Sequence, residues 1–317
     1  MQNRTPLISV ITPVIDDRPN FDRYFDAWFR QSESFNLFEV IIITTNKSQC
    51  DAVNKSLEKY SSPNNKDLNI RIFLLEGIGS SRAKAINHGI KASNGNIVFL
   101  FGDDNIPKTN AIREHIAFHN ENREMFSVGI GMAFLPNEFR NQFTEWLEVS
   151  GSLFGIPFTK EATSIPPDYF YIANTSIKKD FLQKSGLFDE DFKYHSFDDW
   201  ELGNRLKKLG LHSKLIIAAS AIHQHDVTFE ERITSIRELG SSSRLYENKN
   251  QGLEVPWHKE VNKSYPLLVI KMYLFKLLAK VTKSKKILHK QFKYQIKIAF
   301  YEGYHSKINF PIKSHFC

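Results

Sequence analysis

Residues Ile97-Val98-Phe99-Leu100-Phe101 are an apolar run with no alternation, and the chain leaves it through Gly102-Asp103-Asp104-Asn105. A strand with one wet face alternates polar and apolar side chains, whereas an unbroken run reads as a strand buried on both faces. Such strands belong to parallel sheets covered by helices. The turn after the run delivers two carboxylates and an amide to the C-terminal edge of that sheet, where open α/β sheets bind ligands. Hard oxygen ligands suit Mg²⁺ or Mn²⁺ carrying a diphosphate. A second acidic cluster, Phe197-Asp198-Asp199-Trp200-Glu201-Leu202, opens an amphipathic segment and can supply a base. Together the clusters point to a metal-assisted transferase acting on a nucleotide-linked substrate.

The rest of the N-terminal half repeats the same alternation. Strands are predicted over Leu7–Val14, Phe38–Thr45 and Leu68–Leu75, and helices over Asn20–Gln31, Asp51–Tyr60 and Ser80–Ala92. Beyond the first acidic turn the pattern predicts a helix over Ala111–Asn120 and a strand over Phe126–Phe134. A glycine- and proline-rich loop follows from Ser150 to Pro167. Next come a strand from Tyr169 to Ile177, helices over Lys179–Lys184 and Asp199–Leu209, and a strand from Ile216 to Ile222 that closes on His223-Gln224-His225. Strands alternating with helices predict a mostly parallel, Rossmann-like α/β sheet flanked by helices.

The net charge of +7 is unevenly spread. Pro256–Cys317 holds thirteen Lys, no Arg, no Asp and two Glu, a net of +11, so residues 1–255 carry −4. Such a tail favours a polyanion, either a phospholipid surface or nucleic acid. The absence of Arg and of a recognisable RNA motif argues against nucleic acid. Leu267–Val281 is apolar with interspersed lysines, of which Lys276, Lys280 and Lys283 share a face at 100° per residue, and a second basic helix is predicted over Lys285–Tyr301. Two readings stay open for the first: a helix lying in a membrane interface, or one packed on the body with a solvated lysine face. No apolar stretch approaches the roughly 20 residues that span a bilayer. Two cysteines, Cys50 and Cys317, and no basic-then-apolar leader at the first residues favour a reduced, cytoplasmic protein. The expected division is residues 1–255 as the α/β domain and 256–317 as a basic helical extension.

Four segments in order resemble the family 2 glycosyltransferases of GT-A fold. They are Ile8-Ser9-Val10-Ile11-Thr12-Pro13, Gly79-Ser80-Ser81-Arg82-Ala83-Lys84-Ala85-Ile86-Asn87-His88-Gly89-Ile90, Phe99 to Asn105, and Asp198-Asp199-Trp200-Glu201-Leu202-Gly203-Asn204-Arg205-Leu206. The likeness covers about residues 7–250. It implies an inverting transfer from a nucleoside-diphosphate sugar to an acceptor hydroxyl. The basic tail would dock such an enzyme peripherally on the anionic inner face of the cell membrane, which makes a lipid-linked or surface glycan the natural acceptor. Asp103-Asp104-Asn105 matches the family's DxD, with Asn105 in place of the last carboxylate, so the metal would be Mn²⁺ or Mg²⁺ held by Asp103 and Asn105. His223 and His225 stand where relatives place a histidine near metal or diphosphate, although a histidine there can also be structural.

Asp198-Asp199 matches the pair that supplies the base, with Asp199 as base and Asp198 orienting the acceptor. The same two residues also suit the first turn of a helix. Thr12, Pro13 and Val14 match the wall of the nucleoside pocket. The second strand ends in Asn46 where the family carries an Asp, and Asn46 or Asp17 is the stand-in. Arg82 and Lys84 lie in the stretch that approaches the diphosphate, and Asn87 is expected to brace backbone. The segment Thr228–Asn250 resembles a mobile loop that closes over the substrates, the alternative being an ordinary pair of surface helices. Two rivals are a non-catalytic glycan- or nucleotide-binding descendant and a nucleotidyltransferase. The latter requires a glycine-rich phosphate loop that Asp16-Asp17-Arg18-Pro19 does not provide.

Overall fold

The computed structural model describes residues 5–17, 21–60, 68–79, 81–150, 164–165, 170–192, 197–250 and 255–306. Most of the expected loop between Ser150 and Pro167 lies outside them, as do Arg18, Pro19, Asn20, Ser80, Tyr169 and Cys317. In chain order the elements are β1 (Ile8–Val14), α1 (Asp22–Phe29), β2 (Phe38–Thr44), α2 (Lys47–Glu58), β3 (Asn69–Leu74), α3 (Arg82–Ala92), β4 (Ile97–Phe101) and β5 (Asn105–Pro107). They continue with α4 (Ala111–Glu121), β6 (Ser127–Phe134), α5 (Gln142–Ser150), β7 (Ser164–Ile165), β8 (Asn174–Lys178), α6 (Lys179–Lys184), α7 (Asp198–Lys208) and β9 (His212–His223). The last three are α8 (Phe229–Lys249), α9 (Pro256–Thr282) and α10 (Lys285–His305). The chain divides into two compact units, Met1–Pro136 with Thr159–His225, and Asn137–Phe158 with Asp226–Phe316.

The first unit is the sheet. Among the described residues its order is β3-β2-β1-β4-β8-β6-β9-β5, with the short β7 beside β9. The first four strands are parallel, with Val14 opposite Thr44, Thr44 opposite Leu74, and Ile11 opposite Leu100. β8 then pairs antiparallel with both β4 and β6, and β6 runs parallel to β9. Every residue of β1 and β2 is buried, as expected of strands covered on both faces, while edge strand β3 is only half-buried. Helix α1 lays Tyr24, Phe25 and Trp28 on the sheet, and Trp28 meets the rings of Phe99 and Phe101 edge-on at 6.3 and 5.1 Å between centroids.

At the N-terminal ends of these strands sits one fully buried carboxylate, Glu39. Its oxygens accept hydrogen bonds from the Ser9 hydroxyl (2.6 Å), the Asn94 amide N–H (2.7 Å) and the Arg71 guanidinium (2.7 Å). Burial alone would raise this carboxyl, but those three donors outweigh it and hold Glu39 below its ordinary value. The group ties β1, β2, β3 and the end of α3 at the edge opposite the acidic turn.

The second unit is helical. Thr228 caps α8 in a reciprocal box: its Oγ1 accepts the Glu231 N–H (3.3 Å), and the Glu231 carboxylate accepts the Thr228 N–H (3.0 Å). The segment expected as a closing loop is therefore the continuous helix α8, and Thr228-Phe229-Glu230-Glu231 is the signal that carried it. α8 lies against α10 around Ile236, Ala299 and Phe300. A Cβ on Gly303 would come within 1.9 Å of the Arg237 carbonyl oxygen, so only glycine permits that approach. α9 packs on the other side of α10 through Val261, Leu268 and Ile298, with Tyr265 stacked on Tyr301 at 3.8 Å. Phe143 and Trp146 of α5 close the bundle on Phe292.

Glu39→Gln removes the charge on which the Ser9 hydroxyl, the Asn94 N–H and Arg71 converge. It should cost about 1–3 kcal/mol in chemical denaturation. Because the folded-state value of Glu39 is lowered, its contribution is full above the ordinary carboxylate range and is lost as pH falls through the lowered value. Denaturation midpoints against pH should therefore fall less steeply in acid for the variant; parallel curves would rule out this role.

Candidate functional site

Parallel pairing of β1 to β4 sends the C-terminal ends of all four strands to one edge of the sheet. Thr12, Pro13 and Val14 end β1, Asn46 follows β2, Arg82 opens α3 after β3, and Asp103-Asp104 follows β4.

At the end of β4, Gly102 admits the turn because a Cβ there would meet the side chains of Asn105 and Asp104 at 2.8 and 2.9 Å. Asn105 begins β5, a strand absent from the sequence reading, and pairs with His223 at the end of β9. That register places the His223 Nε2 3.1 Å from an Asp104 carboxylate oxygen, with both side chains buried. The Gln224 N–H donates to the Asp104 carbonyl at 2.7 Å, which stitches the two chain segments together. The His225 ring lies 5.9 Å from that of His223, centroid to centroid. Asn105 donates its amide to the Ala173 carbonyl at 3.0 Å, while its Oδ1 is buried without a hydrogen-bond partner. A buried acceptor of that kind beside a carboxylate and an imidazole fits a divalent cation. Among the described residues no three His, Cys, Asp or Glu side chains form a closed metal site. A cation here would need ligands from a diphosphate, which is how Mg²⁺ commonly binds.

The second cluster lies at the start of α3 and α7. Arg82 grips Asp198 with two nitrogens, Nε at 3.0 Å and Nη2 closer still, and its Nη2 is 3.7 Å from Asp199. Phe197, the residue before α7, holds φ at +154°, a strained value for a residue with a Cβ, and is clamped between the rings of Phe192 and Trp200. Asp199 accepts the N–H of Trp200 at 2.8 Å, so the acidic pair also caps its helix. The two carboxylates differ in access. The Asp198 side chain is 0% exposed and Asp199 is 24% exposed. Burial pushes Asp199 up to about 6, with Arg82 opposing the rise and the Asp198 charge adding to it.

Other expected residues fall out differently. Arg82 is buried and bonds to the carboxylates at the start of α7. Lys84, two positions on and so on the opposite side of α3, is exposed. Asn46 caps α2 by accepting the Gln49 N–H (2.9 Å), and its amide donates to Asp17 at 3.3 Å, so the two candidate base contacts hold each other. Asn87 braces backbone as expected, bonding to the Phe188 carbonyl and N–H at 2.9 and 3.0 Å. Tyr24 was legible only as a core aromatic. Its hydroxyl is 2.6 Å from Thr12 Oγ1, and burial raises it well above its ordinary value, with the Asp103 charge adding to the rise. His115 and His119 are buried core groups, bonded to Ser176 and pushed by desolvation to about 4 and about 3, and so neutral.

The sequence model of glycosyl transferase family 2 matches residues 9–181, more than half of the chain. The chain belongs to that family. It is 25% identical over 193 residues to the uncharacterized glycosyltransferase EpsJ of Bacillus subtilis (strain 168), covering 60% of this chain and 53% of that one. It is 23% identical over 232 residues to the probable glycosyltransferase YdaM of the same organism, covering 71% and 52%. It thus spans about half the length of the curated relatives it matches. Among solved structures, the mannosyltransferase PcManGT from Pyrobaculum calidifontis, in complex with GDP-Man and Mn²⁺, superposes with a TM-score of 0.63 at 14% identity, over 96% of this chain and 88% of that one. S. aureus TarS 1-349 in complex with UDP-GlcNAc gives 0.53 at 15% identity, over 94% and 91%. The sheet with its flanking helices is the GT-A fold these structures share, and the helical C-terminal extension is present.

Arg82→Met leaves Asp198 buried and uncompensated. It should cost about 3–5 kcal/mol of stability, against less than half as much for Arg82→Lys. Equal urea midpoints for the two variants would show that the ion pair is not what holds the site.

Proposed function

We propose that this family member is an inverting nucleotide-sugar glycosyltransferase with Asp199 as its base. The observation that carries the reading is a difference in access at one pair: Asp198 is sealed onto Arg82, while its neighbour is part-exposed at the ligand-binding edge with its carboxyl raised to about 6. A carboxylate near that value can take a proton at neutral pH. The acceptor hydroxyl would lose its proton to Asp199 as its oxygen bonds to the anomeric carbon. The bond from that carbon to the diphosphate oxygen breaks, and the electron pair leaves with the nucleoside diphosphate. Asp198 is then a positioning residue. Its burial does not suit a group that orients the acceptor, and it acts by fixing Arg82 and the start of α7.

Thr12, Pro13 and Val14, with Tyr24 behind Thr12, would wall the nucleoside pocket. Asp103 and Asp104 would face the diphosphate. We assign the cation to Asp103, Asn105 and His223, with His225 alongside. The orphaned Asn105 oxygen and the Asp104–His223 contact support that assignment. When bound, Mn²⁺ or Mg²⁺ supplies charge neutralisation to the departing diphosphate. The complexes of PcManGT and TarS with nucleotide sugars support such a donor. For the acceptor we favour a lipid-linked or surface glycan, because a tail with a net of +11 would bring the enzyme to the anionic surface that carries it. We place the protein peripherally on the inner face of the cell membrane. The working division remains 1–255 for transfer and 256–317 for location.

Asp199→Asn should lower kcat for donor turnover by about 10²–10⁴-fold with little change in thermal midpoint. The wild-type rate should rise with pH through about 6 and level off above it, because only the ionised carboxylate accepts the proton. Wild type and variant releasing nucleotide equally slowly would favour the non-catalytic descendant. His223→Ala should raise the Mn²⁺ concentration needed for half-maximal rate about 10- to 100-fold; an unchanged metal titration would remove His223 from the cation site.

A further inference from the structure

The outward face of α9 is apolar from Leu267 to Val281. Leu267, Ile270, Leu274, Leu277 and Val281 recur at helical spacing and stand in solvent, with Ile270 64%, Leu277 63% and Val281 75% exposed. Tyr273 lies beside them. The opposite face, with Leu268 and Met272, is the one that packs on α10, so the stripe is surplus to the needs of the bundle. From Leu267 to Val281 it is about 21 Å long at 1.5 Å per residue. Among the described residues no helix is long and apolar enough to cross a membrane.

The flanks of the stripe decide what covers it. At 100° per residue Lys276, Lys280 and Lys283 fall along one side and Lys271 along the other. No Asp or Glu occurs between Val261 and Tyr301. Lys276 and Lys280 keep the shared side that their spacing predicts, at the rim of the apolar face, whereas Lys283 is the left-handed residue that ends α9. A second copy of the chain, docked stripe to stripe, would set these lysine rims against one another with no acid to pair them, which destabilises such a contact. A surface of anionic headgroups over acyl chains answers both parts, taking the apolar side chains below and the ammonium groups at phosphate level.

We infer that the α9 stripe is a membrane-docking face: α9 lies in the plane of an anionic bilayer with Leu267, Ile270, Leu274, Leu277 and Val281 inserted and Lys271, Lys276, Lys280 and Lys283 on the headgroups. The inference deepens the glycosyl-transfer reading by naming the surface where a lipid-linked acceptor would be met, and it rests on that reading only for the acceptor.

The test is flotation of the full chain with phosphatidylcholine–phosphatidylglycerol vesicles and with phosphatidylcholine vesicles, alongside light scattering and donor turnover in solution. The wild type should float with the anionic vesicles, and added salt should release it. Each neutralised lysine in Lys276→Gln, Lys280→Gln and Lys283→Gln should weaken partitioning about fivefold. Ile270→Glu with Leu277→Glu should abolish flotation while helical content and donor turnover stay at wild-type level. Wild-type protein that stays at the bottom of the gradient would overturn the inference, as would a glutamate variant that floats equally well. A dimer in light scattering that the glutamate variant dissolves, without flotation of either protein, would assign the stripe to self-association instead. Loss of donor turnover in Asp199→Asn is read independently, so a failure of the catalytic reading and a failure of the docking reading are told apart.

Discussion

Parallel pairing of the first four strands is the constraint on which the site depends. In a parallel ladder every strand must be re-entered from the same end, so each strand–helix loop falls at one edge. In this chain those loops carry Asn46, Arg82 and Asp103-Asp104, with Thr12-Pro13-Val14 beside them. Asp198 joins that edge through the Arg82 fork although it lies 116 residues further along the chain. The other edge holds Glu39, a carboxylate bonded by donors from β1, β3 and the turn after α3. One sheet thus keeps a carboxylate bound by its framework at one end and the acidic turns at the other.

The two side-chain contacts of the candidate site, Arg82–Asp198 and Asp104–His223, divide the labour in the same way. Buried pairs such as Arg82–Asp198 contribute more to geometry than to stability, since desolvation offsets much of their attraction. Here the pair anchors α3 to the start of α7, while desolvation raises the neighbouring Asp199 and Arg82 opposes that rise. Asp104 and His223 are joined through the β5–β9 ladder, whose register of Asn105 opposite His223 is backbone hydrogen bonding and not side-chain chemistry. The positions of both functional clusters are therefore set by rigid elements, which favours reproducible geometry.

Much of this was legible beforehand. Apolar-rich runs located β1, β2 and β4; β4 is unbroken, while β1 and β2 admit buried polar residues such as Ser9 and Glu39 that bond to each other. The two acidic turns stood out because carboxylates are costly at the ends of such runs unless they have a task. Helix α8 carries a local mark, the capping box of Thr228 and Glu231, and the helical alternative for this segment is the one the structure shows, as one helix and not a pair. Other features left no sequence mark. Three-residue β5 is too short for any period, and Tyr24 has the helical spacing of a core aromatic. The commitment of Arg82 to Asp198 depends on a contact between residues far apart in the chain.

The sequence by itself determined the alternation of strands and helices, the acidic turns, the family, and the concentration of positive charge in the tail, all of them properties of local pattern and composition. Tertiary structure decided which of two adjacent aspartates is accessible, which histidine meets which carboxylate, and that the outward face of α9 is its apolar stripe. These are outcomes of what packs against what. Access and the raised carboxyl of Asp199 come from burial. The direction in which α9 faces is set by α10, which takes the Leu268 side and leaves Ile270 and Leu277 outside.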